Sequence, residues 1–369
     1  MTSGGAASGS AEAGLNPADA IPALVLGGSG YVAGELLRLL VDHPHFIVGG
    51  VMSDSQPGEL IGKSFPHLAH IYGQSRFQSK EQIIERLGKF PRWALFCAAP
   101  HGAAASLLDE LLTAADRAGT QLSVVDISAD YRFADAAAYE AVYKHPHGAP
   151  GRLAQFTCAV PEHLKTSPTP HVAHPGCFAT AILLASVPLL KLGLVSPTLF
   201  VSGVTGSTGS GRKPVEGTHH PLRHSDLYSY NALAHRHTPE VRALALAASG
   251  IDADFSFVPH SGPYSRGIHV TVQATLKSPL DTPALLEALR GFYADSRFVH
   301  VLDTAPRVKN VVTSNLAQLS SVTNGRTVAV MCVLDNLTKG AAGGAVQWMN
   351  RLFGFPEYSG LPHSAPGWT

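Results

Sequence analysis

Residues 21–40, IPALVLGGSGYVAGELLRLL, constrain this chain more than any other stretch. A six-residue apolar run at 21–26 reads as a buried strand. A glycine turn follows, then a helix with Leu36, Leu37, Leu39 and Leu40 on its apolar side. Gly27, Gly30 and Ala33 stand where a dinucleotide fingerprint needs small residues, for a tight turn, a close backbone approach and helix–strand packing. The turn Gly27, Gly28, Ser29, Gly30 and the first helical residues Tyr31 and Val32 are therefore candidates to hold a diphosphate at a helix N-terminus. The bland alternative is a βα turn without a ligand. FIVGGVMSD (46–54) reads as the second strand of the unit. At its end an acid would bind a ribose 2′-hydroxyl, whereas serine or arginine would take a 2′-phosphate. Ser53 and Ser55 flank Asp54, so these residues leave NAD and NADP both open.

The alternation continues. WALFCAAPHG (93–102) is a strand ending in a turn, AAASLLDELLTAADRAG (103–119) a helix, and LSVVDISADYRF (122–133) a further buried strand. Apolar strands alternating with helices predict a doubly wound parallel sheet. After about residue 155 the pattern shifts to the longer strands of a mixed sheet, in LFVSGVTGS, FSFVPHSGPYSRGIHVTVQATL and TVAVMCVLDN. Residues 282–295 and 339–353 read as helices. The expected division is a disordered tail at 1–20, a dinucleotide-binding domain at 21–172, a catalytic and oligomerisation domain at 173–335, and a C-terminal helix at 336–369 returning to the first domain.

Composition excludes several classes. Lys+Arg and Asp+Glu both number 27, which argues against nucleic-acid partners and an anionic membrane surface. No apolar run approaches the roughly 18 residues of a membrane span. The four cysteines form no CxxC pair and no disulfide-dense pattern, so the reducing cytoplasm is the expected compartment.

One cysteine stands apart. AHPGCFATA (173–181) places Cys177 at a Pro-Gly turn opening onto the run ILLASVPLL. Free N–H groups at a helix mouth favour the thiolate, so a depressed thiol pKa is expected there. Cys97, Cys158 and Cys332 lie inside apolar runs and read as structural. Bases are concentrated in GTHHPLRHSDLYSYNALAHRHTPEV (217–241), where His235 and His237 flank Arg236. TGSTGSGRK (205–213) adds Arg212 and Lys213, and with Arg236 these suit a phosphate or carboxylate. No metal site is expected, because no histidine pair has helical i, i+4 spacing with an acid. HRHTPEV predicts an extended approach to His237, then a helix capped by Thr238. Two rival classes share these features in part: a nucleotide sensor without catalysis, and a cysteine hydrolase, which has no use for the glycine turn.

GGSGYVAGELLRLL, CAAPHG, DISADYRF, HPGCFATA, TGSTGSGRK, HRHTPEV and DNLTKGAAGGAVQ together resemble the blocks of the N-acetyl-γ-glutamyl-phosphate reductase family, within the aspartate-semialdehyde dehydrogenase superfamily. The resemblance implies NADP-dependent reduction of a small acyl phosphate to a semialdehyde, with a thioester on the family's cysteine, here Cys177. It implies an acid/base in the histidine block, at His237 in preference to His235. It places Pro100, His101, Gly102 and Asn336 at the nicotinamide pocket. It further implies a glyceraldehyde-3-phosphate dehydrogenase-like second domain and a homodimer or homotetramer. Asp54 departs from the family, which commonly has an arginine near that strand end. HHPLRHSDLYSYNALAHRH also resembles the lysine-pathway reductases. That resemblance offers a carrier-protein-bound aminoadipyl phosphate as the alternative substrate.

Overall fold

The computed structural model describes residues 20–368. The expected tail lies outside the described residues except for Ala20, which is buried.

The first sheet is entirely parallel. Its strands are β1 (Ile21–Leu26), β2 (Phe46–Met52), β3 (Arg92–Cys97), β4 (Gln121–Asp126), β5 (Phe156–Cys158) and β6 (His171–Ala173), in the order β2-β1-β3-β4-β6-β5. Four helices of eight residues or more accompany it: α1 (Tyr31–Leu40), α2 (Lys80–Leu87), α3 (Ala104–Ala118) and α4 (Ala136–Tyr143). β1 is buried at every position and β3 and β4 at all but the first, as a sheet covered on both faces requires.

The second sheet is mixed. It contains β7 (Val195–Thr205), β8 (Tyr228–Ser229), β9 (Asp254–Ser261), β10 (Ile268–Leu276), β11 (Val299–Val301), β12 (Ala317–Thr323) and β13 (Thr327–Leu334), ordered β11-β12-β13-β10-β7-β9-β8. Buried and exposed residues alternate along β7, β9 and β10, so one face is dry and the other open. The dry face packs on α5 (Cys177–Lys191), with α6 (His237–Ser249) and α7 (Thr282–Phe292) alongside. Helix α5 is buried on all sides, which is why its sequence is apolar without a polar face. Helix α8 (Gly343–Leu352) packs back against the first sheet, sharing a core with Ile21, Val25, Phe46 and Val125.

Two expected elements are shorter. The strand expected over 122–133 ends at Asp126. Beyond it side chains take over from the ladder: Asp126 accepts the Ser128 N–H at 3.0 Å, and Ser128 Oγ accepts the Asp130 N–H at 3.1 Å. The helix expected from 339 begins as a π-helical turn over Thr338–Ala342.

Candidate active site

The two sheets meet at a cleft of about 1010 Å³. Gly30, the last residue of the glycine turn, and the start of α1 form one wall, and the Cys177 helix mouth another. In the glycine turn, Gly27 has φ +73°, and a Cβ there would fall 2.2 Å from the Ala98 carbonyl oxygen. A Cβ on Gly28 would lie 2.7 Å from Met52 O, but at Gly30 nothing lies nearer than 3.4 Å. Gly30 is the N-cap of α1 and lends it no side-chain cap; the first turn carries no acid. Gly30, Tyr31 and Val32 line the cleft, leaving uncapped helix N–H groups beside it. At the end of β2, the hydroxyls of Ser29, Ser53 and Ser55 form a triangle with every side 3.4 Å. Such contacts are too long for strong hydrogen bonds, so the hydroxyls are free to bind an anion. Ser53 and the exposed Asp54 also line a neighbouring hollow of about 490 Å³. These features fit a dinucleotide.

Cys177 is the first residue of α5, after Gly176 at the N-cap. The turn is held from below. Glu240 Oε1 accepts the Gly176 N–H at 2.7 Å, and Glu240 Oε2 pairs with Arg132 Nη1 at 3.2 Å. Arg132 also donates to the carbonyls of His174 (3.1 Å) and Ile127 (2.9 Å). Both members of this ion pair are buried, so removing either would strand the other charge. Sequence reading missed this pair. Both residues lay in recognisable blocks, but 108 positions separate them, and no spacing rule joins them.

The thiol differs from expectation. Burial pushes the Cys177 pKa above its ordinary value, against the pull of Arg132, the Phe178 N–H and Arg236. The helix mouth lowers it, as anticipated, but desolvation is larger. The resting group is a thiol.

His237 is brought directly over this turn. A Cβ on Gly176 would lie 2.5 Å from both Cε1 and Nε2 of its ring. Burial, followed by the nearby His235, Arg132 and Arg236, holds His237 well below the ordinary histidine pKa. It is a neutral imidazole. The approach to it is not as expected: α6 starts at His237, and Arg236 (φ −58°, ψ −19°) is already helical. The reason is that His235 Nδ1 accepts the His237 N–H at 3.2 Å, meeting a need assigned to Thr238. Thr238 Oγ1 is buried without a partner. His235 packs against Phe178, Tyr230 and Phe257, and burial lowers it to about 4.

The remaining candidates divide. Arg236 is exposed within the cleft. Pro100 and His101 line it, and His101 Nδ1 accepts the Ala129 N–H at 2.9 Å, which leaves the Nε2 proton free. Asn336 Oδ1 accepts the Gly267 N–H at 2.7 Å, and its Nδ2 donates to Thr208 Oγ1 at 3.0 Å. Arg212 lines the cleft, but its hydrogen bonds go to the first domain, at Ser29 O and Ser64 O. Lys213 is exposed and outside the lining. Gly340, which no motif argument selected, touches the thiol residue: a Cβ there would lie 2.8 Å from Cys177 Cβ. Among the described residues no group of three or more His, Cys, Asp or Glu side chains could hold a metal ion.

A glycine-turn nucleotide domain facing a helix-mouth cysteine across one cleft defines the class of two-domain pyridine-nucleotide dehydrogenases. Comparison with known proteins refines this. Residues 22–162 match the semialdehyde dehydrogenase NAD binding domain, and residues 177–336 the semialdehyde dehydrogenase dimerisation domain. The chain is 37% identical over 349 residues to the N-acetyl-gamma-glutamyl-phosphate reductase of Pseudomonas aeruginosa strain UCBPP-PA14, covering 92% of this chain and 98% of that one. It is 36% identical over 354 residues to the Nitrosococcus oceani protein of that name, covering 94% and 99%. Among solved structures, aspartate semialdehyde dehydrogenase II of Vibrio cholerae, complexed with ASA, shares the fold with a TM-score of 0.65 at 14% identity, over 90% of this chain and 98% of that one. The Candida albicans aspartate semialdehyde dehydrogenase with NADP gives 0.60 at 12%, over 91% and 98%. The chain belongs to the semialdehyde dehydrogenase family, among its N-acetyl-gamma-glutamyl-phosphate reductases.

Proposed function

We propose that this protein reduces N-acetyl-γ-glutamyl phosphate to N-acetylglutamate semialdehyde and inorganic phosphate, with NADPH, in arginine biosynthesis. The observation that carries the chemistry is the imidazole of His237 resting on Gly176, beside a cysteine at the first position of a buried helix.

The residues act in sequence. Neutral His237 accepts the proton of the Cys177 thiol as sulfur attacks the acyl carbon. The acyl–oxygen bond to phosphate breaks, phosphate leaves, and an acyl thioester remains on Cys177. The unpaired N–H groups at the start of α5 stabilise the oxyanion that forms in passing. NADPH, when bound, supplies a hydride to the thioester carbon. Cys177 then departs as thiolate and regains its proton from His237, which restores both groups. Exposed Arg236 is the cation for a substrate carboxylate. Gly27, Gly28, Ser29, Gly30, Tyr31 and Val32 would hold the cofactor diphosphate, and the Ser29, Ser53 and Ser55 hydroxyls its 2′-phosphate. Pro100 and Asn336 would line the nicotinamide.

The substrate is the free small molecule, as the relatives' names support, rather than a carrier-bound aminoadipyl phosphate. The open face of the second sheet carries Phe200 and Val322, 57% and 50% exposed, and supports a homodimer or homotetramer built on that face. All four cysteines are free, in keeping with the cytoplasm, and no described helix is long and apolar enough to cross a membrane.

The test runs the reaction in reverse. With inorganic phosphate, NADP+ and N-acetylglutamate semialdehyde, NADPH absorbance should rise. Cys177→Ser should abolish that rise while NADPH binding persists. Near-normal turnover by the serine variant would end the covalent mechanism.

A further inference from the structure

The glycine turn lacks a cation of its own. Of the other described cations lining the cleft, Arg132 is spent on Glu240 and two carbonyls, and Arg236 is the one assigned above to the substrate carboxylate. Lys80, in the neighbouring hollow, is paired with Glu110 and shares the space with Asp54 and Glu81. A dinucleotide brings negative phosphates to this wall, so the charge balance must be completed from elsewhere.

Arg212 reaches it from the other domain. It stands on the Gly/Ser loop after β7, with Nη1 donating to Ser29 O of the glycine turn at 3.0 Å and Nη2 to Ser64 O at 2.9 Å. Its guanidinium carbon lies 5.4 Å from the centre of the Phe65 ring. That ring is itself pressed on α1, where a Cβ at Gly34 would lie 2.5 Å from it. Two of the five guanidinium N–H donors are thereby used and three remain. The base of the loop is fixed to the catalytic domain: Gly206 N–H donates to Gly267 O at 2.9 Å, and Thr208 N–H to Ser265 O at 3.0 Å. Just before Arg212 the chain passes through Gly211, at φ +83° and with nothing within 4 Å of a built Cβ. A fixed base, a free glycine tip and an arginine lying on the nucleotide turn make a strap across the cleft.

We propose that Arg212 is a cofactor clasp: it ties the catalytic domain to the glycine turn and offers its remaining donors to the phosphates of the bound dinucleotide. The sequence suggested that it grips the substrate instead. The clasp rests on the cofactor reading above, and the test separates the two.

NADPH affinity is measured by fluorescence titration on the full chain, and the KM for N-acetylglutamate semialdehyde at saturating NADP+. Arg212→Gln should raise the NADPH Kd at least tenfold, the scale of a lost charge-assisted contact, and speed NADPH release. The semialdehyde KM should stay within about twofold. Arg212→Lys keeps the charge but cannot span two carbonyls, so its NADPH Kd should fall between the two. An unchanged NADPH Kd in both variants overturns the clasp. So does a raised semialdehyde KM with NADPH Kd unchanged, which would return Arg212 to the substrate. Failure of the unaltered protein to bind NADPH would instead remove the cofactor reading itself.

Discussion

At the scale of single residues the site is governed by burial. The helix mouth at Cys177 supplies the electrostatics that the sequence foretold, yet desolvation outweighs them and the thiol is raised. His237 is lowered by the same cause and stays neutral. Thiol beside neutral imidazole is the less charged of the two possible pairs, and a dry turn favours it. This predicts the alkylation profile of the substrate-free protein. Iodoacetamide should label Cys177 ahead of Cys97 and Cys332, which are fully buried. The Cys177 rate should climb steadily from pH 7 past pH 9, since only thiolate reacts. A plateau already reached below pH 7 would show a preformed thiolate and reverse this assignment. The identities of Cys177, His235 and His237 were legible as candidates. The sign of the thiol shift was not, because burial depends on which helices close over a turn, and no short window of sequence contains them.

At the scale of elements, the mouth of α5 is clamped between the start of α6 and the π-helical turn before α8. Gly340 belongs to that turn, and a Cβ there would lie 2.8 Å from Cys177 Cβ and 3.1 Å from its Cα. Neither atom is the free end of a flexible side chain, so the clash must move backbone. Gly340→Ala should therefore destabilise the protein by about 1–3 kcal/mol, the usual cost of overpacking. It should also displace the nucleophile, and a shift of about 1 Å can cost on the order of 10²-fold in kcat. NADPH affinity should be nearly unchanged. Thermal unfolding, steady-state kinetics and cofactor titration check the three parts; full activity with normal stability would mean the turn yields without effect. The strands and longer helices were readable, β1, β3, β4 and α5 as continuous apolar runs and β7, β9 and β10 by alternating burial. The π-helical turn was not, since KGAAGG continues a helical pattern and only its tertiary neighbours, Cys177 at Gly340, Asn315 at Gly343 and His174 at Gly344, reveal why small residues are needed. The end of β4 failed for a different reason. DISADYRF is apolar enough for a strand, but Asp126 and Ser128 spend their side chains on the backbone, and a turn wins.

Across the whole molecule, one imidazole adds a polar tie to the apolar core that joins α8 to the first βα unit. His43, after α1, accepts the N–H groups of His45 (3.2 Å) and Phe46 (3.1 Å) on Nδ1. Its proton is therefore on Nε2, which lies 3.0 Å from Asn350 Oδ1 on α8. Both ring nitrogens are used, and the residue is only 5% exposed. Burial lowers its pKa to about 4, with His45 adding to the effect and the Asn350 bond opposing it. The sign follows from linkage. In the unfolded chain the pKa is about 6.5, so between these values the unfolded state binds more protons. The contribution of neutral His43 is complete above pH 6.5 and is lost as pH falls toward 4. For such a shift the loss is about 2 kcal/mol at pH 5 and about 3 kcal/mol at pH 4. Protonation would place a hydrogen on Nδ1, facing two N–H groups that need an acceptor. His43→Asn cannot titrate in this range. The stability gap between the unaltered protein and His43→Asn should thus narrow by about 2 kcal/mol from pH 7 to pH 5, read by urea unfolding. His163 and His171, each lowered to about 4 by burial, should erode both proteins equally and drop out of the difference. A gap that stays constant over that range would show that His43 does not carry this pH dependence.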